Sequence, residues 1–227
     1  FILKLLSLSS SIVLDFFIKT MGSPNIYGSR IDSFPLIVKD SIKDKLFLRV
    51  LKLNCVNDFY TDFWKENYNI KFQEDKWSIY RSGLENLITI KDKDELNPLK
   101  NLISRRQALI EIDVLTAMNF GMTLDELIEI YLINFSISKK FEANTFFDQK
   151  GNIVFTPSSK TLKGVGVDRP VWEQIRNFQA GETYEHTIEK SELYKGKVIT
   201  YYAPFDKCDR VEDYKVAWEY FEGVFKD

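Results

Sequence analysis

The stretch RRQALIEIDVLTAMNFGMTLDELIEIY, residues 105–131, decides the fold of this chain. Apolar residues recur at three- and four-residue steps between residues 105 and 120, which is typical of an amphipathic helix. Its polar face carries Glu111 and Asp113, which we expect to meet solvent. Its apolar face consists of five residues, namely Ala108, Leu109, Ile112, Leu115 and Ala117.

A second helix follows after a short turn. Gly121 ends the first helix, and residues 123–126 (TLDE) form a capping box in which Thr123 and Glu126 satisfy each other's free backbone amides. Met122 and Leu127 occupy the hydrophobic-staple positions around this box. We therefore predict a helical hairpin whose second helix runs over residues 124–133.

Two further helices are predicted before this hairpin. Residues 1–18 (FILKLLSLSSSIVLDFFI) repeat apolar residues at helical spacing, and Asp15 together with the lack of a small-residue cleavage site argues against a signal peptide. We expect one mostly buried helix that ends at Met21, with Gly22 as a left-handed cap. Residues 42–56 repeat the same spacing and predict another helix.

An aromatic segment connects the two helical parts. Seven aromatic residues lie within residues 59–77, and rings this dense indicate a packed connection because each buries a large apolar area. The mixed-charge run at residues 91–95 (KDKDE) is predicted to be a solvated turn.

The last third of the chain combines strand patterns with helical ones. Residues 146–155 place two short apolar runs around a polar turn with Gly151, which predicts a β-hairpin. We expect a short helix over residues 172–177, a strand over residues 197–202 and an amphipathic helix over residues 210–225. The fold class is therefore α+β, mainly helical, with a small antiparallel β element in the C-terminal third.

Three regions are predicted along the chain. Residues 1–60 hold a helix, a polar loop, a short strand and a helix. Residues 61–135 hold the aromatic connection and the helical hairpin, and residues 136–227 form a small α+β region.

Composition excludes several classes of protein. The chain has 227 residues, of which 44% are hydrophobic and 28% charged, which is incompatible with intrinsic disorder. A net charge of −2 excludes a basic character over the whole chain. Residues 1–55 nevertheless carry eight Lys and Arg against four acids, a net charge of +4, so the remainder carries −6. Local positive charge of this kind suits contact with phosphates.

The sequence holds no self-sufficient active site. Cys55 and Cys208 are far apart and without companion histidines, which indicates buried thiols in a cytoplasmic protein rather than a metal site. His186, the only histidine, lies in a polar stretch and is predicted to be a solvated surface residue. Glu74 and Lys76, with Asp58 or Asp62 upstream, leave a metal-dependent nuclease as a weakly supported alternative. We predict no catalytic and no metal-binding residues in this chain.

Four stretches of the chain resemble one family. The segment 5–38 (LLSLSSSIVLDFFIKTMGSPNIYGSRIDSFPLIV) resembles the end of the target-recognition region in large adenine-specific DNA methyltransferases, the single-chain type IIG restriction–modification enzymes and their phage-exclusion relatives. In that family a buried helix leads through a polar loop to a short strand, here Phe34-Pro-Leu-Ile37. Residues 105–131 resemble the helical hairpin that follows, and residues 146–155 and 201–221 resemble the C-terminal end of some members.

The resemblance implies a role in recognising double-stranded DNA for a site-specific adenine-N6 methyltransferase of a restriction–modification or phage-defence system. The family's S-adenosylmethionine site and its Pro-Pro-Tyr or Pro-Pro-Phe motif do not occur in these residues. The sequence most similar to that motif is Ala203-Pro-Phe-Asp206, which has a single proline. Because the sequence opens at Phe1 inside a helical pattern, we expect the methyltransferase domain upstream in the same polypeptide, with S-adenosylmethionine as its cofactor and none bound here.

The predicted DNA contacts lie in residues 19–43. Arginine and asparagine read guanine and adenine edges, serine contacts either, tyrosine stacks on a splayed base, and lysine binds phosphates. The candidate residues are Lys19, Asn25, Tyr27, Ser29, Arg30, Lys39 and Lys43. The turn-forming types among them are equally compatible with a plain surface turn.

A function of a different class stays open. The chain could instead be a non-catalytic protein–protein interaction domain that docks its helices on a partner through the acidic C-terminal hairpin and tail. We expect no membrane association, since charges and serines interrupt the opening apolar run.

Overall fold

The computed structural model describes residues 1–22, 34–93, 95–157 and 166–226. These residues are mainly helical and carry short antiparallel strands in the C-terminal part, which confirms the predicted α+β class. None of the helices described is both long enough and apolar enough to cross a membrane.

The described ranges contain nine α-helices and five short strands. The helices are α1 (Ile2–Ser9), α2 (Ile12–Thr20), α3 (Asp40–Asn54), α4 (Thr61–Asn67), α5 (Leu102–Asn119), α6 (Leu124–Asn134), α7 (Ser136–Glu142), α8 (Arg169–Ile175) and α9 (Arg210–Lys226). The strands are β1 (Phe146–Phe147), β2 (Ile153–Phe155), β3 (Thr183–Thr187), β4 (Val198–Tyr202) and β5 (Asp206–Lys207). Short 3₁₀ turns cover Asp58–Tyr60, Ile70–Glu74 and Ile90–Lys93.

Helix α5 lies at the centre of the molecule and packs against α1, α2, α3, α6 and α9. The predicted helix is confirmed, but its predicted solvent face is wrong: Glu111 and Asp113 are both buried. Leu109, expected inside, is partly exposed. A helix surrounded by neighbours has almost no solvent face, so its acids must find buried partners.

The opening segment forms two helices rather than the single one predicted. The break falls at Ser10 and Ser11, where Ser11 caps α2 by accepting a hydrogen bond from the backbone N–H of Leu14 at 3.3 Å. Serine competes with helical backbone bonds in this way, which makes it a natural start for a new helix. The prediction for Gly22 is confirmed, since its φ is +64°.

The aromatic connection is packed as predicted. Trp64 and Phe72 are buried, and Trp64 Nε1 donates to the carbonyl oxygen of Asp92 at 2.8 Å. The prediction of a solvated turn at residues 91–95 is wrong for Asp92, which is fully buried and binds Lys52 at 3.0 Å. Lys52 lies inside the core and requires a counter-charge there.

The helical hairpin and the terminal helix are confirmed. Thr123 and Glu126 form both hydrogen bonds of the capping box at the start of α6. From the third predicted region, α9 adds Tyr214, Ala217 and Phe221 to the core that α1, α3 and α5 share. The division of the chain after residues 60 and 135 stays a prediction.

The C-terminal strands form two small antiparallel sheets. One has the order β2-β1-β5 and the other pairs β3 with β4. The hairpin at 146–155 and the strand near 197–202 are confirmed, whereas β3 was not predicted because its sequence, TYEHT, is polar. An aromatic cluster around Trp172 forms a second, separate core. Cys55 and Cys208 are buried free thiols, as predicted.

Candidate nucleic-acid interface

Three of the seven predicted DNA contacts belong to the described part of the chain. Lys19 lies near the end of α2, Lys39 precedes α3, and Lys43 follows one turn into α3, and all three are exposed. The other four, Asn25, Tyr27, Ser29 and Arg30, lie outside the described residues.

The two flanks of the segment 23–33 meet in the structure. The ring of Phe17 in α2 packs edge-on against the ring of Phe34, with 6.4 Å between their centroids. Phe34 is buried, so this contact belongs to the core rather than to the surface. The chain therefore enters and leaves the segment at neighbouring points of the helical body.

Helix α5 binds the start of α2 and the residues before α3 through two polar side chains. Asp113 accepts a hydrogen bond from the backbone N–H of Ile12, the first residue of α2, at 2.9 Å. Asn119 lies near the other end of α5: its Nδ2 donates to the carbonyl oxygen of Ile37 at 2.7 Å, and its Oδ1 accepts from the N–H of Lys39 at 2.8 Å. These bonds satisfy backbone groups that no helix pairs, and they fix where α2 and α3 begin.

Lys19 is an exposed cation with two intramolecular contacts. Its ammonium binds Asp15, one turn earlier, at 2.8 Å and lies 4.0 Å from the centre of the Phe135 ring. An exposed ion pair of this kind contributes about 0.2–1 kcal/mol, so a phosphate can compete for the lysine.

Lys39 and Lys43 lie one turn apart at the start of α3. The ammonium of Lys39 donates to the carbonyl oxygen of Met118 at 3.1 Å, close to the C-terminal end of α5 where a cation is favoured. Lys43 lies near Phe47, with its nitrogen 5.8 Å from the ring centre. Both cations are at the surface beside the point where the chain leaves segment 23–33.

The net charge of residues 1–55 overstates the positive charge at the surface. Arg49 and Lys52 are buried in ion pairs with acids from later in the chain, and Lys45 binds Asp75 at 3.1 Å. The surface cations described in this region are therefore Lys4, Lys19, Lys39 and Lys43.

A cleft of about 290 Å³ opens beside α2. Its lining includes Ser9, Leu109, Asp113, Phe135 and Arg210. Burial raises the pKa of Asp113 to about 6, although the charge of Arg210 opposes the shift. Both oxygens of Asp113 already accept hydrogen bonds, so the cleft offers this carboxylate no free position for chemistry.

The nuclease alternative gains no support from the geometry. Across the four described ranges, no three His, Cys, Asp or Glu side chains lie close enough together to hold a metal ion. Asp75, which lies between Glu74 and Lys76, is bound to Arg49 and Lys45. His186 is partly exposed on β3, with its ring 6.3 Å from that of Tyr201. Burial lowers the pKa of His186.

Asp113 and Asn119 were missed by the sequence reasoning. Their signal was present, because α5 is apolar on more than one side and leaves no broad polar face for these side chains. Polar residues within such a helix are better interpreted as buried and paired than as solvated.

The chain was compared with models of protein families, with curated proteins and with solved structures. Nothing matches in any of the three comparisons.

Proposed function

We propose that this chain is the DNA-recognition part of a site-specific adenine-N6 DNA methyltransferase, as its sequence resemblance implies. In this proposal segment 23–33 reads the bases, with Asn25, Tyr27, Ser29 and Arg30 as the reading residues. Lys19, Lys39 and Lys43 bind phosphates on either side. Methyl transfer and S-adenosylmethionine binding belong, in this proposal, to another part of the methyltransferase.

One observation carries the proposal. Phe17 and Phe34 pack together on the two sides of segment 23–33, and α5 hydrogen-bonds to the start of α2 and to the residues before α3. Exposed lysines lie near both ends of the segment. DNA recognition needs a base-reading segment with fixed ends and cations that set its register on the phosphates. The arrangement of Asp113, Asn119 and the three lysines meets both needs.

The test is duplex binding by the 227-residue chain as a function of salt, with a fluorescent 30-base-pair duplex of random sequence. Neutralising phosphates releases counterions, so the affinity should fall steeply between about 50 and 200 mM salt. Replacing Lys19 with Ala should weaken binding and reduce the salt slope by about 0.9. Selection from the random pool should then enrich a defined sequence.

Lys215 provides a matched control for Lys19. Both lysines pair with an acid on their own helix, and their side chains are 50% and 51% exposed. We expect Lys215→Ala to leave binding and the salt slope unchanged. Equal effects of the two substitutions, or binding that is independent of salt, would contradict the proposal.

A second candidate is the protein–protein interaction domain, and one observation favours it. Leu132 and Ile133 at the end of α6 and Ile137 in α7 are 38%, 72% and 85% exposed. Several exposed apolar side chains within six residues of chain are a feature of protein interfaces. This function predicts that the chain does not bind duplex DNA in a salt-dependent way. It also predicts self-association, measured by analytical ultracentrifugation, that Ile137→Asp abolishes.

A further inference from the structure

One side chain of α5, Asp113, connects the C-terminal helix α9 to the start of α2. Asp113 uses its Oδ1 for the N–H of Ile12, and its Oδ2 accepts from two residues of α9. The Tyr214 hydroxyl donates at 2.6 Å and Arg210 Nη1 at 3.0 Å. The two oxygens of a single carboxylate thus connect α9 to α2.

Arg210 is itself held in place. Its Nε and Nη2 donate to Glu142 at distances between 2.7 and 3.1 Å, which is a two-pronged contact with the end of α7. A planar guanidinium held in this way has little freedom, and it fixes the carboxylate that it binds on its other side. The orientation of Asp113 is therefore set by α9 and α7, not by α5 alone.

The two flanks of segment 23–33 differ in this respect. Asn119, which holds the start of α3, makes its hydrogen bonds to Ile37 and Lys39 without a contact from α9 among the described residues. Among the described residues, the hydrogen bonds at the start of α2 therefore connect to α9 through Asp113, whereas those at the start of α3 do not.

We propose that Tyr214 and Arg210 are positioning residues for the DNA-contacting surface. By fixing Asp113 they determine where α2 begins, and therefore where Lys19 and the entry into segment 23–33 lie relative to Lys39. This inference rests on the proposed function, since it names residues outside the contact surface that set its geometry.

The test uses Tyr214→Phe in the 227-residue chain. The substitution keeps the ring and removes one donor to Asp113. Losing a hydrogen bond to a buried carboxylate should raise the exchange rate of the Ile12 amide roughly tenfold. Duplex affinity should fall by about three- to tenfold, because α2 no longer holds one position. Exchange of the Lys39 amide should not change.

Tyr131→Phe is the matched control. Tyr131 packs edge-on against Tyr214, with 6.0 Å between ring centroids, but its hydroxyl donates to Glu142 instead of Asp113. Because its hydroxyl reaches Asp113 only indirectly, through Glu142 and Arg210, we expect this variant to change the Ile12 exchange rate and the duplex affinity much less than Tyr214→Phe does. Arg210→Lys keeps the charge but loses the planar fork, so it should reproduce the effect of Tyr214→Phe. It replaces Tyr214→Phe as the test variant if that protein does not fold.

The outcomes separate the inference from the function on which it rests. Faster exchange at Ile12 with unchanged duplex affinity overturns the inference and leaves DNA recognition intact. Equal increases at Ile12 and Lys39 also overturn it, because they indicate a general loss of stability. A wild-type chain that binds no duplex rejects the proposed function, and the exchange of Ile12 then shows separately whether α9 positions α2.

Discussion

The helical body (α1–α6 and α9) and the sheet region (residues 146–208) satisfy their buried charges in different ways. In the helical body, Arg49 binds Asp75 and Glu111, and Lys52 binds Asp92, all of them far away in the sequence. In the sheet region, buried Asp148 accepts hydrogen bonds from the backbone N–H groups of residues 150 and 152 in its own turn. The buried acids of the helical body thus bind cationic side chains from distant parts of the chain. Asp148 instead binds backbone N–H groups, two in its own turn and that of Tyr202 at 3.3 Å.

The apolar cores of the helical body and the sheet region also differ in extent. The helical body shares one continuous core that reaches from α1 to α9, whereas the sheet region has its own aromatic cluster around Trp172. We therefore expect damage to spread through the helical body and to remain local in the sheet region. The four predictions below test this difference, from the largest expected effect to the smallest.

Replacing Arg49 with Met should cost roughly 5 kcal/mol of unfolding free energy, because Asp75 and Glu111 stay buried without their cation. Chemical denaturation followed by circular dichroism measures this loss. Lys226→Met, which breaks an exposed pair with Glu222, is the control and should leave the midpoint unchanged. A loss below about 1 kcal/mol would mean that water reaches the Arg49 site.

Replacing Trp172 with Ala should destabilise the sheet region by roughly 4 kcal/mol, since its ring packs on three others. The centroids of Phe146, Phe155 and Phe205 lie 4.4, 5.2 and 5.8 Å away. Hydrogen exchange should accelerate in β1, β2 and α8 while amides of α5 stay protected. Accelerated exchange in α5 to the same extent would show that the two regions unfold as one unit. Phe59→Ala removes an exposed ring, so it should change neither the stability of the sheet region nor the hydrogen exchange of α5.

Asp113 should make the stability of the helical body depend on pH. Burial raises its pKa to about 6 in the folded state, above its value in the unfolded chain. Between about pH 4 and pH 6 the folded state therefore binds more protons than the unfolded chain does. The contribution of Asp113 to the free energy of unfolding falls as the pH rises through this range, by about 3 kcal/mol in total.

The check is the unfolding free energy of wild type minus that of Asp113→Asn, measured from pH 4 to pH 7. Asn cannot titrate, so the difference should decline toward pH 6 and then level off. A difference that grows with pH would mean that Arg210 and Tyr214 outweigh burial and hold the pKa of Asp113 low.

Replacing Thr123 with Ala should cost only about 1 kcal/mol, because it removes a local helix cap and leaves buried charges in place. Thermal unfolding measures the change. Thr123→Ser retains the hydroxyl and should remain close to wild type. A loss as large as that of Arg49→Met would remove the distinction between local and long-range contacts.

Local features of the fold could be predicted from the sequence. The helical hairpin of α5 and α6, the capping box at Thr123, the left-handed Gly22 and the hairpin around Gly151 are confirmed, although α5 begins three residues before the predicted start. Each depends on residues within a few positions of one another, which is the range over which helix period, caps and turns act. The same holds for the α+β class.

The sequence alone did not determine which polar residues are inside. Glu111, Asp113 and Asp92 were expected in solvent, yet all three are buried. Their partners lie tens of residues away along the chain, and a side chain's surroundings depend on every helix that packs around it. The break at Ser10–Ser11 and the polar strand β3 likewise depended on neighbours that periodicity does not reveal.

For the candidate site, the sequence determined the residue types and the tertiary structure determined their placement. The sequence named Lys19, Lys39 and Lys43, and the fold places them beside the two ends of segment 23–33. Only the fold joins those ends, because Asp113 and Asn119 lie far along the chain from the backbone groups that they bind. Period and caps act over one or two turns of helix, whereas a carboxylate that connects α9 to α2 exists only after the helices have packed.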